Sequence, residues 1–278
     1  MTQANAAHMT DTGPDYVQIK TKQQGAWSSG DYAKVGVTLQ ITGEVLCESM
    51  DLRAGASVLD VAAGNGNVTL AAARRFCRVT STDYVPALLE DSKRRAEAEG
   101  LPVEYQQADA EKLPFADAMF DNVVSTFGVM FAPDQFTAAS ELARVCKPGG
   151  TIGMANWTPD SFIGQLFKTI GGYVQPPVGV QSPARWGSED FLNDAFAHQV
   201  KSISTERKSF AFRYQSAEHW LDIFRTFYGP VLKAFEAVGA EKGDALAAEI
   251  MELIVRFNVS GDATMVVPSD YLEVIIKR

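Results

Sequence analysis

The chain has 278 residues, a formal net charge of −9 and 46% hydrophobic residues, which suits one large α/β domain or one domain with a substantial insertion. Its acidity argues against a nucleic-acid partner, because phosphate binding depends on a basic surface that releases counterions. The cysteines, Cys47, Cys77 and Cys146, are few and far apart, which describes a reduced, cytoplasmic protein without a disulfide framework or a metal site, and no apolar run is long enough to span a membrane. Residues 1–15 are mostly small and polar, lack the apolar core of a signal peptide, and are expected to form a disordered tail.

Residues 32–50 read as a helix whose apolar face is Val37, Ile41, Val45 and Leu46. Gly55 closes a turn, and Val58–Val61 is a short buried strand that runs into Gly-rich sequence. Val68–Phe76 is Ala-rich and helical, Arg78–Thr82 is a second strand, and Pro86 opens a helix stopped near Gly100. Strands follow at 103–107, 120–126 and 151–156, with a helix at 136–145 stopped by Pro148-Gly149-Gly150. The basic clusters Arg74-Arg75 and Lys93–Arg95 fall on these helices and read as solvated faces. Such strand–helix alternation predicts a Rossmann-like, doubly wound, mostly parallel sheet, with ligands at the C-terminal ends of its strands.

After Trp157 the pattern changes. Gly, Pro and aromatic residues dominate to Trp186, and Ser188–Ala197 reads as a helix capped by Ser188 that buries Phe191, Leu192, Ala195 and Phe196. Residues 200–214 hold a strand. Residues 217–257 are mainly helical with breaks near Gly229-Pro230 and Gly239-Ala240, and 271–277 is a closing strand.

The strongest constellation is Val58-Leu59-Asp60-Val61-Ala62-Ala63-Gly64-Asn65-Gly66-Asn67, a buried strand leading into a loop with almost no side chains. Gly64 and Gly66 permit positive φ and close backbone approach, and the following helix offers free N–H groups that suit a carboxylate or a phosphate equally well. Asp83 ends the second strand, where a carboxylate can accept both hydroxyls of a ribose or simply cap a helix; Tyr84, beside it, can lie against a purine face. Asp109 and the Ala110 N–H follow strand three, placed to pair with the edge of an adenine. Taken singly, each has a bland reading as a turn, cap or packing residue; their order at successive strand ends carries the signal.

The segments VLDVAAGNGN, STDYVPALLEDSKRRA, ADAEKLPFADAMFDNVVSTFGVMF and ELARVCKPGG, in that order, resemble the motifs of class I S-adenosylmethionine-dependent methyltransferases, especially the branch that includes ubiquinone- and menaquinone-biosynthesis enzymes. The likeness covers about 35–157 and departs from the family pattern at Ala62, where a Gly is usual. It implies a seven-stranded sheet with an antiparallel last strand and a helical cap. It divides the chain into lid helices at 16–50, a cofactor-binding core at 51–157, and a remainder at 158–278 with a substrate cap inserted at about 158–187 and 215–258. It implies that Asp60 and the loop Ala62, Gly64, Asn65 and Gly66 hold the methionine end of S-adenosylmethionine, that Asp83 holds the ribose, and that Asp109 and Ala110 hold the adenine, against whose face Tyr84 can lie. Ser125 and Phe127 then flank the sulfonium, and Trp27 and Tyr32 form a lid.

Methyl transfer is an in-line displacement that needs positioning above all and no metal. A phenolic or enolic acceptor would gain from a general base, for which His198, His219, Tyr214, Glu218 and Asp222 are candidates and His219, at a helix start, is the choice. Aromatic residues including Phe131, Trp157, Trp186, Phe224 and Tyr228 are expected to wall a pocket for a small, apolar or aromatic acceptor. The expected product is S-adenosylhomocysteine, and the expected assembly is a monomer or homodimer. A nicotinamide oxidoreductase fits poorly, since Thr69 stands where a third Gly is needed. A non-catalytic cofactor-binding regulator and a methyltransferase of macromolecules are the competing readings.

Overall fold

A computed structural model describes residues 13–278. Most of the expected tail lies outside the described residues; Asp15 within it caps the first helix by accepting the Gln18 N–H at 3.0 Å.

Helices α1 (Tyr16–Trp27), α2 (Tyr32–Gly36) and α3 (Gln40–Ser49) precede the sheet. There follow β1 (Ser57–Val61), α4 (Asn67–Arg74), β2 (Arg78–Asp83), α5 (Pro86–Ala98), β3 (Val103–Gln107), β4 (Phe120–Thr126), α6 (Gln135–Val145) and β5 (Cys146–Trp157). The remainder comprises α7 (Phe162–Tyr173), α8 (Glu189–Ala195), β6 (Ser202–Tyr214), α9 (Ala217–Phe227), α10 (Gly229–Phe257) and β7 (Met265–Lys277).

The seven strands lie in the order β3-β2-β1-β4-β5-β7-β6. β1 to β5 pair in parallel, and β7 runs antiparallel to both β5 and β6. Strand order reverses between β1 and β4, which opens a crevice at their C-terminal ends. β1 is buried on both faces: Leu59 and Val61 join the core that extends through β5 and the cap, while Val58 joins a second core with α3 and α4. That double burial is why its sequence reads as a nearly continuous apolar run.

Four local expectations are corrected. The helix at 32–50 is interrupted by a 3-10 turn at Val37–Leu39, and Val37 and Ile41 are exposed. The inward face is instead Val35, Leu39, Thr42, Gly43, Leu46 and Cys47, because α3 packs so closely on α4 that a Cβ on Gly43 would come within 2.8 Å of the Asn67 backbone. β5 begins at Cys146, so Pro148-Gly149-Gly150 lies inside the strand at a register irregularity rather than ending the helix. Ser188 makes no side-chain cap; its hydroxyl donates to the Arg185 carbonyl at 2.8 Å. The closing strand is longer than read from the sequence, pairing with β6 from Met265 to Lys277.

α9 and α10 lie in the chain between the paired strands β6 and β7, and pack on each other and, through α10, on α7. α10 breaks at Gly239, whose φ of 70° only glycine adopts readily. Among the described residues no helix is long and apolar enough to cross a membrane.

Candidate active site

Two adjoining cavities sit at the β1–β4 crevice. The outer encloses, with its mouth, about 770 Å³ of empty space, and the inner about 350 Å³, within the range of small-molecule sites. Trp27, Tyr32, Phe127 and Phe131 line both.

The outer cavity is built on the loop after β1. Ala62, Gly64 and Gly66 all have positive φ, at 53°, 56° and 84°. The left-handed region is open to Gly but costs an L-residue about 1–2 kcal/mol, so Ala62 is held there by its surroundings. A Cβ on Gly128 would collide with the Ala62 carbonyl, and one on Gly66 with the Ser92 hydroxyl. A Cβ on Gly64 would stand 3.2 Å from the Tyr32 ring, which covers the loop.

Ala62, Gly64 and Asn65 line the outer cavity. Asn65 is buried, and its amide nitrogen has no partner among the described residues. Asp83 and Tyr84 also line it. The Asp83 carboxylate accepts the N–H groups of Gly64 and Val85, both at 2.9 Å, and burial pushes its pKa up to about 6. Asp109 and Ala110 line the far side. Asp109 takes Lys20 Nζ at 2.6 Å on one oxygen and the Glu111 N–H at 2.9 Å on the other.

Three expected cofactor residues do not line either cavity. Asp60 turns under the loop, where it accepts the Thr69 hydroxyl at 2.5 Å, and burial pushes its pKa up to about 8. Gly66 serves as the left-handed cap residue of α4. Ser125 braces the loop from below: its hydroxyl donates to the Val61 carbonyl at 2.7 Å and accepts the Val129 N–H at 3.0 Å. Phe127 does line both cavities, with φ 56°.

The inner cavity is walled by Phe131, Trp157, Phe224 and Tyr228, as well as Val35, Leu39, Ile163 and Phe212. Trp186 is absent from it: the 3-10 turn Pro183–Gly187 carries the ring against Phe191 and Phe196 instead. His219 reaches neither cavity. It sits in the first turn of α9, where Nδ1 accepts the Gln215 N–H at 3.3 Å, so its choice as a general base is corrected to a local turn contact. Trp27 and Tyr32 meet edge to face, and Trp27 also packs on Phe131 and Tyr228, which docks the N-terminal helices onto the cap.

Sequence reasoning missed Lys20, Asn67 and Arg95. Lys20 lines the outer cavity and bonds both Asp109 and Glu111, a pairing across 89 residues that leaves no local pattern. Asn67 was signalled by its place at the loop's end; its amide donates to the Gly36 carbonyl at 2.7 Å. Arg95 is not on a solvated face, for it turns beneath the loop to reach the Asn65 carbonyl at 2.6 Å. Among the described residues no group of three or more His, Cys, Asp or Glu is placed to hold a metal.

Residues 59–154 match the methyltransferase domain family. An uncharacterised protein of Mycobacterium tuberculosis is 40% identical over 247 residues, which cover 87% of this chain and 90% of that protein. The demethylmenaquinone methyltransferase of Thermus thermophilus is 32% identical over 166 residues, covering 57% of this chain and 76% of the enzyme. The crystal structure of the YcgJ protein from Bacillus subtilis superposes with a TM-score of 0.60 at 17% identity, over 85% of this chain and 97% of that one.

Proposed function

The chain belongs to the class I S-adenosylmethionine-dependent methyltransferases, and on that premise we propose that it methylates a small apolar or aromatic molecule held in the inner cavity. One observation carries the acceptor class. The described residues that line the inner cavity are all aliphatic or aromatic, and their polar side-chain atoms are the hydroxyls of Tyr32 and Tyr228 and the indole N–H groups of Trp27 and Trp157. Among the described residues no charged side chain lines it. A carboxylated or phosphorylated acceptor would lose its hydration there without a counter-charge, which is unfavourable.

The outer cavity suits the cofactor. The orphaned Asn65 amide, the crowded Gly64 position and the buried Asp83 carboxylate fit a ligand that joins a nucleoside to an amino acid. In this reading Ala62, Gly64 and Asn65 hold the methionine end, Asp83 the ribose, and Asp109 and Ala110 the adenine, with Tyr84 against its face. S-adenosylmethionine supplies a methyl group already activated by a positive sulfur. The protein's work is then to align donor and acceptor, which can contribute about 7–11 kcal/mol. The aromatic faces of Phe127, Trp27 and Tyr32, which border both cavities, favour a cation beside them.

Burial pushes the Tyr32 phenol up to about 12 and the Tyr228 phenol well above its ordinary value. Both stay protonated at neutral pH, so they donate hydrogen bonds to the acceptor and remove no proton from it. The acceptor therefore brings its own nucleophilic electron pair, as an acidic phenol, enol or thiol does.

The test is transfer of radiolabelled methyl from S-adenosylmethionine to a panel of acceptors. Turnover is expected with acidic phenols, quinols or aromatic thiols, which give their proton to solvent and meet the positive sulfonium as anions, and is expected to fall in Tyr228→Phe. Transfer confined to phosphorylated amines, amino acids, proteins or RNA would refute the acceptor class. Tight cofactor binding without transfer to any acceptor would instead support the regulator reading.

A further inference from the structure

The cavity offers one end to a negative group. Asp83 and Asp109 make the nucleoside side acidic, and the charge of Lys20 is already committed to Asp109 and Glu111. At the other end, behind the loop, stands Arg95. Its guanidinium donates to the Asn65 carbonyl at 2.6 Å, to Asn67 Oδ1 at 3.0 Å and to Gln40 Oε1 at 3.1 Å, all neutral acceptors. Nearby Arg74 and Arg75 are each paired with glutamates, whereas Arg95 is hydrogen-bonded to no carboxylate among the described residues. Partial burial and the neighbouring Arg74 also lower the Arg95 pKa, only partly opposed by the charge of Glu99, the mark of a cation short of solvent.

A second demand stands at the same loop residue. Asn65 is 1% exposed, lines the outer cavity, and its amide nitrogen donates to nothing among the described residues. An amide donor without an acceptor and a cation whose own hydrogen bonds all go to neutral groups thus meet at one residue of the loop. A carboxylate in the cavity beside Asn65 answers both.

We propose that Arg95 is a positioning residue that selects for the carboxylate of the cofactor's amino-acid end, acting through Asn65 from outside the cavity. This rests on the reading of the outer cavity as the S-adenosylmethionine site. Arg95 is not among the residues that line the cavity. It anchors the Asn65 carbonyl so that the side-chain amide faces inward, and it lends a positive potential that neutral partners do not cancel. It also ties the loop to α3 through Gln40, and Asn67 ties it to α2 through Gly36, so the lid closes on a loop already set for an anion.

The experiment compares three probes by calorimetry on the full chain: S-adenosylmethionine, its decarboxylated form, and 5′-deoxy-5′-methylthioadenosine, the last two lacking the carboxylate. Wild type should prefer S-adenosylmethionine over the decarboxylated form by about tenfold or more, the scale of one charge-assisted hydrogen bond. Arg95→Gln should lose most of that preference while binding the two carboxylate-free probes as wild type does, and Arg95→Lys should restore part of it. Equal weakening of all three probes by Arg95→Gln would reduce Arg95 to a structural brace and overturn the proposal. So would a wild-type protein that binds S-adenosylmethionine and its decarboxylated form alike, an outcome that needs no variant to fold. Failure of wild type to bind any of the three would instead refute the cofactor reading itself.

Discussion

The ring of Phe127 lies flat on that of Trp157, with centroids 3.9 Å apart and planes within 6° of parallel. Phe127 holds this position at a φ of 56°, a backbone state that is uncommon outside glycine. It lines both cavities, whereas Trp157 lines only the inner one, so the stack forms part of the partition between the cofactor and acceptor spaces. Trp157→Ala removes a buried ring and should cost about 3–5 kcal/mol of stability, seen as a lower urea midpoint. The dissociation constant for S-adenosylhomocysteine should barely move, because the outer cavity keeps its lining. A large loss of cofactor affinity in a folded Trp157→Ala protein would contradict this partition.

Asp83 gives the cofactor site a pH dependence of definite sign. Burial raises its carboxyl to about 6, above the ordinary 3.8. Ribose hydroxyls bind best to the anion, so affinity should be constant above about pH 6 and fall by about tenfold per unit once the carboxyl is mostly protonated. The same group acts oppositely on the ligand-free fold. The folded state takes up this proton before the unfolded chain does, so between about pH 4 and 6 its contribution to stability declines as pH rises. Asp83→Asn should bind S-adenosylhomocysteine weakly and show no inflection near pH 6. A wild-type titration that is flat from pH 5 to 8 would show that the carboxylate does not hold the ribose.

The parts of this site that were legible in the sequence are those set locally. A buried strand that ends in Ala62-Ala63-Gly64-Asn65-Gly66 and an acid at the end of the next parallel strand fix a crevice before any tertiary contact is known. The orientation of Asp60 is legible too. The period of two puts Asp60 on the face of Val58, towards α4 and Thr69, and away from Leu59 and Val61. The apolar face of α3 was not legible from hydrophobicity, because close packing on α4 selected Thr42 and Gly43 over Ile41. Nor could an aromatic-rich segment announce that Trp157 and Phe224 enter the inner cavity while Trp186 packs on Phe191. Contacts such as Lys20 with Asp109 depend on how distant segments meet, and no spacing encodes them.

The departure at Ala62 should behave as a tolerated strain. With φ at 53°, Ala62→Gly relieves the left-handed penalty but adds freedom to the unfolded chain, so a net gain of at most about 1 kcal/mol is expected. Cofactor affinity should be kept. The reciprocal change, Gly128→Ala, drives a methyl into the Ala62 carbonyl and must displace the loop. It should abolish measurable cofactor binding and lower the melting temperature. A Gly128→Ala protein with normal affinity would mean that the loop moves freely, contrary to the brace that Ser125 supplies.

Lys20 fastens α1 to the opposite rim. Its ammonium lies 2.6 Å from Asp109 and 2.9 Å from Glu111; the helix is held besides by the buried Ile19, by Gln24, which donates to the Tyr84 carbonyl at 2.6 Å, and by the Trp27 ring against Tyr32, Phe131 and Tyr228. Lys20 and Asp109 are both partly exposed, so water and salt weaken their pair, and the global stability of Lys20→Met should change by less than about 1 kcal/mol. The local effect should be larger. Without the two ion pairs α1 should open more often, and hydrogen exchange of residues 16–27 should quicken while the sheet strands keep their protection. Cofactor release should quicken with it, since Lys20 and Trp27 line the outer cavity. High salt should produce the same acceleration in wild type and little further change in Lys20→Met. Exchange rates in α1 that are the same in both proteins, at low and high salt, would show that the aromatic contacts of Trp27 alone hold the lid.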